Sequence, residues 1–230
     1  MIGNKRVSGI LLIAGNSTRF NSNNNKNLER INNLPIFLYS LKVLDSNQYI
    51  DNIFLVVKEE EKDLISLELK SIEMSKEVFV IAGGATRQQS VFNALKASNS
   101  DFVVIQDGAR PMLKDEYINS SLSELVNYAG TTIAVKSKDT IKIADDNDVV
   151  IETTKRQNTW IIQTPQCFDR EVLLTAHVRQ DGNPDITDDC MMLENEGHKI
   201  KLIEGDYSNI KVTTKEDINI IKELITPTKL

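Results

Sequence analysis

The chain has 230 residues, of which 40% are hydrophobic, and this composition suits a single domain with an ordinary buried core. Its 27 basic and 33 acidic residues give a formal net charge of −6 and a sequence pI of about 5.1, which argues against an extended nucleic-acid-binding surface but not against a small phosphorylated ligand. No apolar run approaches the length that spans a bilayer, and the first residues lack a cleavage-site pattern, so we expect a cytoplasmic protein that binds neither membranes nor nucleic acids.

The first predicted element is a buried strand at residues 10–13, an unbroken apolar run that ends at Ala14 and Gly15. If this turn lies at the carboxyl end of a parallel strand, its backbone N–H groups can face a phosphate, and Arg19 and Lys26 can approach the same anion. A tight turn without a ligand explains the small residues equally well. The turn matches neither the Walker loop nor the dinucleotide-binding glycine motif.

The segment up to about residue 111 alternates between predicted helices and strands. The Asn-rich residues 21–27 predict a mobile flap that carries Lys26. Further apolar strands end in small-residue loops, and helical patterns separate them. We predict helices from Pro35 to about residue 46, over 59–70 and from residue 91, and strands at 53–57, 78–81 and 102–105. This order predicts an α/β fold with a doubly wound, mostly parallel sheet whose ligand lies along one edge.

The second half of the chain adds a hairpin to this pattern. Residues 140–143 and 149–153 alternate apolar and polar side chains around an acidic tip, which predicts a β-hairpin. We place this arm at about residues 137–157 of one domain spanning 1–230. An isolated hairpin has little core, so we expect it to rest on a second subunit. The remaining predicted elements are helices at 114–128, 169–179, 187–196 and 215–224, and strands at 131–135, 160–163, 200–203 and 210–213.

The two cysteines, Cys167 and Cys190, have no CxxC partner and no histidine at ligand spacing, so we expect buried thiols rather than a zinc site or a disulfide. By contrast, several charged side chains fall at predicted strand ends or turns. They are Arg19, Lys26, Asp107, Arg110, Arg156 and Lys211. Any one of them alone is ordinarily a solvated surface charge, but their placement favours a shared anion site.

Seven short motifs occur in order along the chain. They are Ala14-Gly15 with Arg19 and Lys26, Gly83-Gly84 through Arg87 to Ser90-Val91, Asp107-Gly108-Ala109-Arg110-Pro111, Asp139-Thr140-Ile141-Lys142, Gln163-Thr164-Pro165-Gln166, Thr187-Asp188-Asp189, and Asn209-Ile210-Lys211-Val212-Thr213. Their order resembles that of the methylerythritol phosphate cytidylyltransferase family, within the wider polyol-phosphate cytidylyltransferases. The likeness extends from about residue 7 to about residue 225.

The resemblance implies transfer of CMP from CTP to 2-C-methyl-D-erythritol 4-phosphate, with release of pyrophosphate and with Mg²⁺ on the triphosphate rather than on protein ligands. It implies that Arg19 and Lys26 stabilise the transition state and that Arg156 and Lys211 position the incoming phosphate. The implied CTP contacts are Ile13, Ala14, Gly15, Asn16, Gly83, Gly84, Ala85, Ser90 and Gly108. The implied polyol contacts are Asp107, Arg110 and Thr140, together with Arg156 and Lys211. The family's hairpin crosses between subunits, so the resemblance implies a homodimer in which Thr140 and Arg156 serve the partner's site.

Several positions depart from the family pattern. Ile13 and Ser17 replace an alanine and a glycine, Ala85 stands where an acidic residue is common, and Gln106 replaces a frequent histidine. The usual Pro-Lys-Gln is Asn25-Lys26-Asn27 here, which predicts a loosened loop around the lysine.

Two other functions fit parts of the same pattern. The ribitol-phosphate cytidylyltransferases share the fold and the lysines, but their Asp-Ser-Val-Arg-Pro motif differs from the Asp-Gly-Ala-Arg-Pro found at residues 107–111. A nucleotide-binding protein without activity is also compatible with the fold. The joint presence of Arg19, Lys26, Arg156 and Lys211 disfavours it.

Overall fold

The computed structural model describes residues 4–15, 25–70, 72–180, 182–183 and 185–225. The strands are β1 (Val7–Leu12), β2 (Arg30–Ile31), β3 (Leu34–Pro35), β4 (Asn52–Val57), β5 (Glu77–Ala82), β6 (Phe102–Asp107), β7 (Gly130–Lys136), β8 (Lys142–Ala144), β9 (Val150–Thr153), β10 (Trp160–Asp169) and β11 (Ile200–Glu204). The helices are α1 (Ile36–Ser46), α2 (Lys62–Lys70), α3 (Arg87–Ala97), α4 (Asp115–Glu124), α5 (Arg170–Arg179), α6 (Asp189–Asn195) and α7 (Lys215–Ile225), with 3-10 turns at Lys26–Leu28, Glu59–Glu61 and Arg156–Asn158.

The central sheet has seven strands in the order β11-β7-β10-β6-β1-β4-β5. All neighbouring pairs are parallel except those of β10, which runs antiparallel to both β6 and β7. The predicted doubly wound, mostly parallel α/β sheet is confirmed.

Helices cover both faces of the sheet, which explains the unbroken apolar runs. Successive residues of a strand point to opposite faces, so a strand buried on both sides has no polar alternation. In β1, Ile10 packs in the cluster with Phe168 and Leu173, whereas Leu11 packs in the cluster with Phe37 and Leu41. All six side chains are fully buried.

A third apolar cluster positions the segment that follows β11. Val212, Ile218 and Ile221 pack against Ile36 and Ala109, so α7 fastens residues 209–213 beside the end of β6. The strand predicted at 210–213 is wrong. Val212 donates one backbone hydrogen bond to the Ala109 carbonyl at 2.8 Å. Because Ala109 lies beyond the end of β6, this bond does not extend into a ladder of strand pairing with β6.

Other boundaries also differ from the predictions. Helix α3 begins at Arg87 rather than at residue 91, because Thr86 caps it by accepting a hydrogen bond from the Gln89 amide. Strand β10 continues through Thr164 and Pro165 to Asp169, with a register shift between Ile162 and Gln166. Helix α4 ends at Glu124 instead of residue 128. The short β2–β3 hairpin was not predicted, although Asn32 and Asn33 turn it with positive φ angles of 50° and 64°.

The predicted hairpin arm is present as the antiparallel pair β8 and β9. Every residue of both strands is exposed, and Ile143, Val150 and Ile151 contact no core. Both cysteines are buried and free, as predicted, and burial raises the pKa of the Cys167 thiol to about 12. Within the described residues, no helix is both long and apolar enough to cross a membrane.

Candidate active site

The carboxyl ends of β1, β5 and β6 meet at one edge of the sheet and border a cleft of about 220 Å³. Such an edge is where open α/β sheets bind ligands. Eight of the predicted site residues line this cleft. They are Ala14, Gly15, Lys26, Gly84, Ala85, Ser90, Asp107 and Lys211.

The turn after β5 is shaped by contacts with its neighbours. Gly83 donates a 2.7 Å hydrogen bond to the Val57 carbonyl, and a Cβ at this position would lie only 2.6 Å from the Ala14 Cβ. The Gly84 amide donates to the Ser90 hydroxyl at 3.0 Å, and that hydroxyl donates to the Thr86 carbonyl. Close packing of the turns after β1 and β5 therefore explains why a glycine is needed at position 83. The Ser90 hydroxyl holds the Gly84 backbone in place.

The amino terminus of α3 also faces the cleft, since Thr86 and Arg87 line it. Helix amino termini present N–H groups and a positive dipole end, which favour phosphate groups. Sequence reasoning did not select these two residues as site residues. The Thr-x-x-Gln pattern at 86–89 is a capping signature and was the available signal.

Three predicted nucleotide contacts, Ile13, Gly83 and Gly108, do not line the cleft. Ile13 is fully buried, and the Gly108 amide donates to the Leu12 carbonyl at 2.9 Å. A Cβ on Gly108 would approach the Ile13 Cγ2 to 2.3 Å. Ile13, Gly83 and Gly108 are absent from the cleft lining, so their small or buried character follows from packing, and their contact with CTP stays a prediction.

The segment around Lys26 is not loosened by its two asparagines, contrary to the prediction. The Asn25 Nδ2 donates to the Ile13 carbonyl and to Glu61 Oε2, both at 2.7 Å, while its Oδ1 accepts from the Asn27 amide at 3.0 Å. Asn25 and Asn27 are both buried. Hydrogen bonds from the side-chain amides thus hold the lysine's neighbours to Ile13, directly after β1, and a 3-10 turn at Lys26–Leu28 replaces the end of the expected flap. The rest of that flap lies outside the described residues, as do Asn16, Ser17 and Arg19.

Asp107 stands at the centre of the site, at the end of β6. Its Oδ2 lies 2.6 Å from the Lys211 Nζ, and its Oδ1 lies 3.6 Å from the Arg87 Nε. Burial disfavours the charged carboxylate, but Lys211, Arg87 and Arg110 outweigh burial and hold the pKa of Asp107 well below its usual value. Asp107 is therefore an anion at neutral pH, and Lys211 is held beside it.

A second cavity of about 600 Å³ adjoins the cleft and shares Arg87, Asp107 and Lys211 with it. Arg110 lines this second cavity, where its guanidinium donates to the Asn209 carbonyl at 2.7 Å. Burial lowers the pKa of Arg110, although Asp107 favours its charged form. Other lining residues are Gln163, Thr164, Gln166, Thr187 and Asp188. Two ligands bound in the two cavities would meet at the shared residues.

The structure does not bring Thr140 and Arg156 to this site within one chain. The Arg156 Nη2 donates to the Thr140 hydroxyl at 3.0 Å, and both residues line a separate surface groove at the base of the arm. Neither lines the two cavities described above. Their predicted roles therefore require a second subunit.

Comparison with known proteins identifies the chain's relatives. The family model for 2-C-methyl-D-erythritol 4-phosphate cytidylyltransferase matches residues 7–226. The chain belongs to this family. A 2-C-methyl-D-erythritol 4-phosphate cytidylyltransferase from Fusobacterium nucleatum is 40% identical over 222 residues, covering 95% of this chain and 96% of that protein. One from Clostridium botulinum (strain 657 / Type Ba4) is 37% identical over 221 residues, with 95% and 96% covered.

The fold is likewise similar to a solved member of the cytidylyltransferase family. The crystal structure of 4-diphosphocytidyl-2C-methyl-D-erythritol synthase from Anaerococcus prevotii superposes with a TM-score of 0.85 at 30% identity, covering 96% of this chain and 98% of that one. Membership in the cytidylyltransferase family makes the protein a nucleotidyltransferase. The predicted family is confirmed.

Proposed function

We propose that the protein transfers CMP from CTP to 2-C-methyl-D-erythritol 4-phosphate and yields 4-diphosphocytidyl-2-C-methyl-D-erythritol and pyrophosphate. The carrying observation is the pair of adjoining cavities that share Arg87, Asp107 and Lys211. CTP occupies the cleft beside Gly84 and the start of α3, and the polyol phosphate occupies the second cavity beside Arg110. The relatives' names support this choice of acceptor.

The reaction is an in-line substitution at the α-phosphorus of CTP. An oxygen of the acceptor's phosphate forms the new P–O bond while the bond to the β-phosphate oxygen breaks, and pyrophosphate leaves with that electron pair. No covalent enzyme intermediate is needed, so catalysis consists of positioning and of neutralising developing charge. Lys26, with Arg19, stabilises charge on the reacting phosphates, and Lys211 positions the acceptor phosphate.

Mg²⁺ fits this site as an ion carried by the triphosphate. Among the described residues, no three His, Cys, Asp or Glu side chains cluster as a metal site. Mg²⁺ usually keeps several waters and binds substrate phosphates rather than a dedicated protein cage, so a triphosphate in the nucleotide cleft would hold it. When bound, Mg²⁺ supplies charge neutralisation on the phosphate oxygens.

The arm formed by β8 and β9 is proposed to pack on a second subunit. Its exposed apolar side chains, including Val149 at 60% and Ile151 at 68% exposure, would be buried in such a contact. The same contact would deliver Thr140 and Arg156 to the partner's second cavity. We place the protein in the cytoplasm, where its two free, buried cysteines would stay reduced.

The test is release of pyrophosphate from CTP with Mg²⁺, measured with 2-C-methyl-D-erythritol 4-phosphate and D-ribitol 5-phosphate in parallel. We expect turnover with the first acceptor and little with the second; chelation with EDTA should abolish it. A preference for ribitol phosphate would reassign the acceptor, and silence with both would refute the proposal. Lys26→Ala should lose several orders of magnitude in turnover, roughly as other charge-stabilising groups do. Lys199→Ala, which removes an exposed lysine elsewhere, serves as the matched control.

A further inference from the structure

Arg87 lies in a row of alternating charges that passes through the site. Its Nη1 lies 2.7 Å from Asp189 Oδ2, and its Nε lies 3.6 Å from Asp107 Oδ1. Asp107 is in turn bound to Lys211 at 2.6 Å, and Asp189 lies 3.4 Å from the His177 Nε2. Asp189 is only 1% exposed, so its charge is balanced by these neighbours. Arg87 therefore connects the buried start of α6 with the central carboxylate.

The ion pair between Lys211 and Asp107 conflicts with the role proposed for the lysine. An ammonium held at 2.6 Å by a carboxylate cannot give its full charge to an incoming phosphate. If Lys211 turns towards the phosphate, Asp107 loses its nearest counter-ion in a site where only 11% of its side chain is exposed. An unpaired buried carboxylate is unfavourable, so a second cation must replace the lysine.

Arg87 has the properties that this replacement requires. Its guanidinium is always charged, and its planar fork can face two carboxylates at once. Asp189 fixes one edge of that fork, which leaves the Nε directed at Asp107. Because the Nε distance is 3.6 Å in the presence of the Lys211 contact, there is room for the pair to tighten when the lysine departs.

We propose that Arg87 is a positioning residue that keeps Asp107 compensated and so releases Lys211 to the acceptor phosphate. The inference rests on the proposed function, because it assigns the acceptor phosphate to Lys211. Arg87 acts through Asp107 and Lys211 and needs no contact with the acceptor.

Steady-state kinetics of a double-mutant cycle test this inference. Arg87→Gln should raise the KM for 2-C-methyl-D-erythritol 4-phosphate at least tenfold and change the KM for CTP less than threefold. In the Asp107→Asn background, the same substitution should change the acceptor KM less than threefold, since no carboxylate remains to hold Lys211. Arg87→Lys, which keeps the positive charge but not the planar fork, should recover part of the acceptor KM. Arg179→Gln removes an exposed arginine elsewhere and should alter neither KM.

Each contrary result has a distinct meaning. An equal rise in both KM values would overturn the inference in favour of a direct nucleotide contact or a general loss of structure, which thermal unfolding would report. An undiminished effect in the Asp107→Asn background would also overturn it. If Arg87→Gln does not fold, Arg87→Met takes its place in both backgrounds. An Arg87→Lys variant with as high an acceptor KM as the neutral variant would refute the role of charge. Absence of wild-type turnover would overturn the proposed function itself, and the inference with it.

Discussion

Asn25→Ala should destabilise the protein and impair turnover, because it removes the side-chain hydrogen bonds that hold the segment beside Lys26. The substitution deletes two donated hydrogen bonds at 2.7 Å, to the Ile13 carbonyl and to Glu61, and two accepted ones at 2.9 and 3.0 Å from Asn27. Each such bond contributes about 1 kcal/mol net, and an orphaned buried donor costs about 1–3 kcal/mol. Since the Asn27 Nδ2 retains the Ile13 carbonyl at 3.2 Å, we expect a loss of roughly 2–4 kcal/mol rather than the full sum.

Chemical denaturation and calorimetry measure this loss directly. For a chain of this size, 1 kcal/mol lowers Tm by roughly 2–4 °C, so Tm should fall by roughly 4–16 °C. Asn195→Ala removes one exposed hydrogen bond to Gln180 and should stay within about 0.5 kcal/mol of the wild type. If Asn25→Ala lost no more stability than Asn195→Ala, the asparagine contacts would not fasten this segment. Unchanged kcat would show that Lys26 does not depend on them.

Three further predictions concern packing, assembly and pH. Gly108→Ala should lower the free energy of unfolding by about 1–3 kcal/mol in chemical denaturation, because the added Cβ would lie too close to the buried Ile13 side chain. An unchanged free energy of unfolding would show that the chain around Ile13 shifts to accommodate the methyl group. Mixing Lys26→Ala and Arg156→Ala subunits should restore roughly half of the wild-type activity per heterodimer, because one of its two sites is intact, and inactive heterodimers would exclude a shared site. The pKa of Asp107 is lowered on folding, so its stabilisation is present above its ordinary pKa of 3.8 and is lost as the pH falls below that value. The difference in the free energy of unfolding between wild type and Asp107→Asn should therefore become smaller as the pH is lowered. A difference that does not depend on pH would contradict the assignment of a charged carboxylate to Asp107.

The central strands could be predicted because their environment is uniform. Apart from the half-buried Leu12 and Phe102, residues 10–13, 53–57 and 102–105 are buried, so their apolar composition alone identifies them. The same rule failed at 210–213, where Ile210 and Val212 pack against α7 and the neighbouring loop instead of a strand. The second half of β10 was missed because Pro165 ordinarily ends a strand.

Lys26, Asp107 and Lys211, which the motif positions selected, line one cleft, and their roles stay predictions. The contacts that hold the site together were not predicted. The hydrogen bonds of Asn25 could not be predicted from the sequence, because two of its partners, Ile13 and Glu61, are distant from it in the chain. Arg87 was likewise not predicted as a site residue, since its orientation depends on an ion pair with Asp189, which belongs to a helix far along the chain.

The packing of α7 has a consequence for biosynthesis. Lys211 reaches Asp107 only when Val212 and α7 hold the segment after β11 in place, whereas Ala14 lies directly after β1, about 200 residues earlier in the chain. A nascent chain that has emerged only as far as β11 therefore carries a sheet but lacks one cation of the cleft. Contacts between segments so far apart in the chain form late in folding. On the ribosome, the sheet should form before the capacity to bind both substrates, and the enzyme should gain activity only after α7 has emerged.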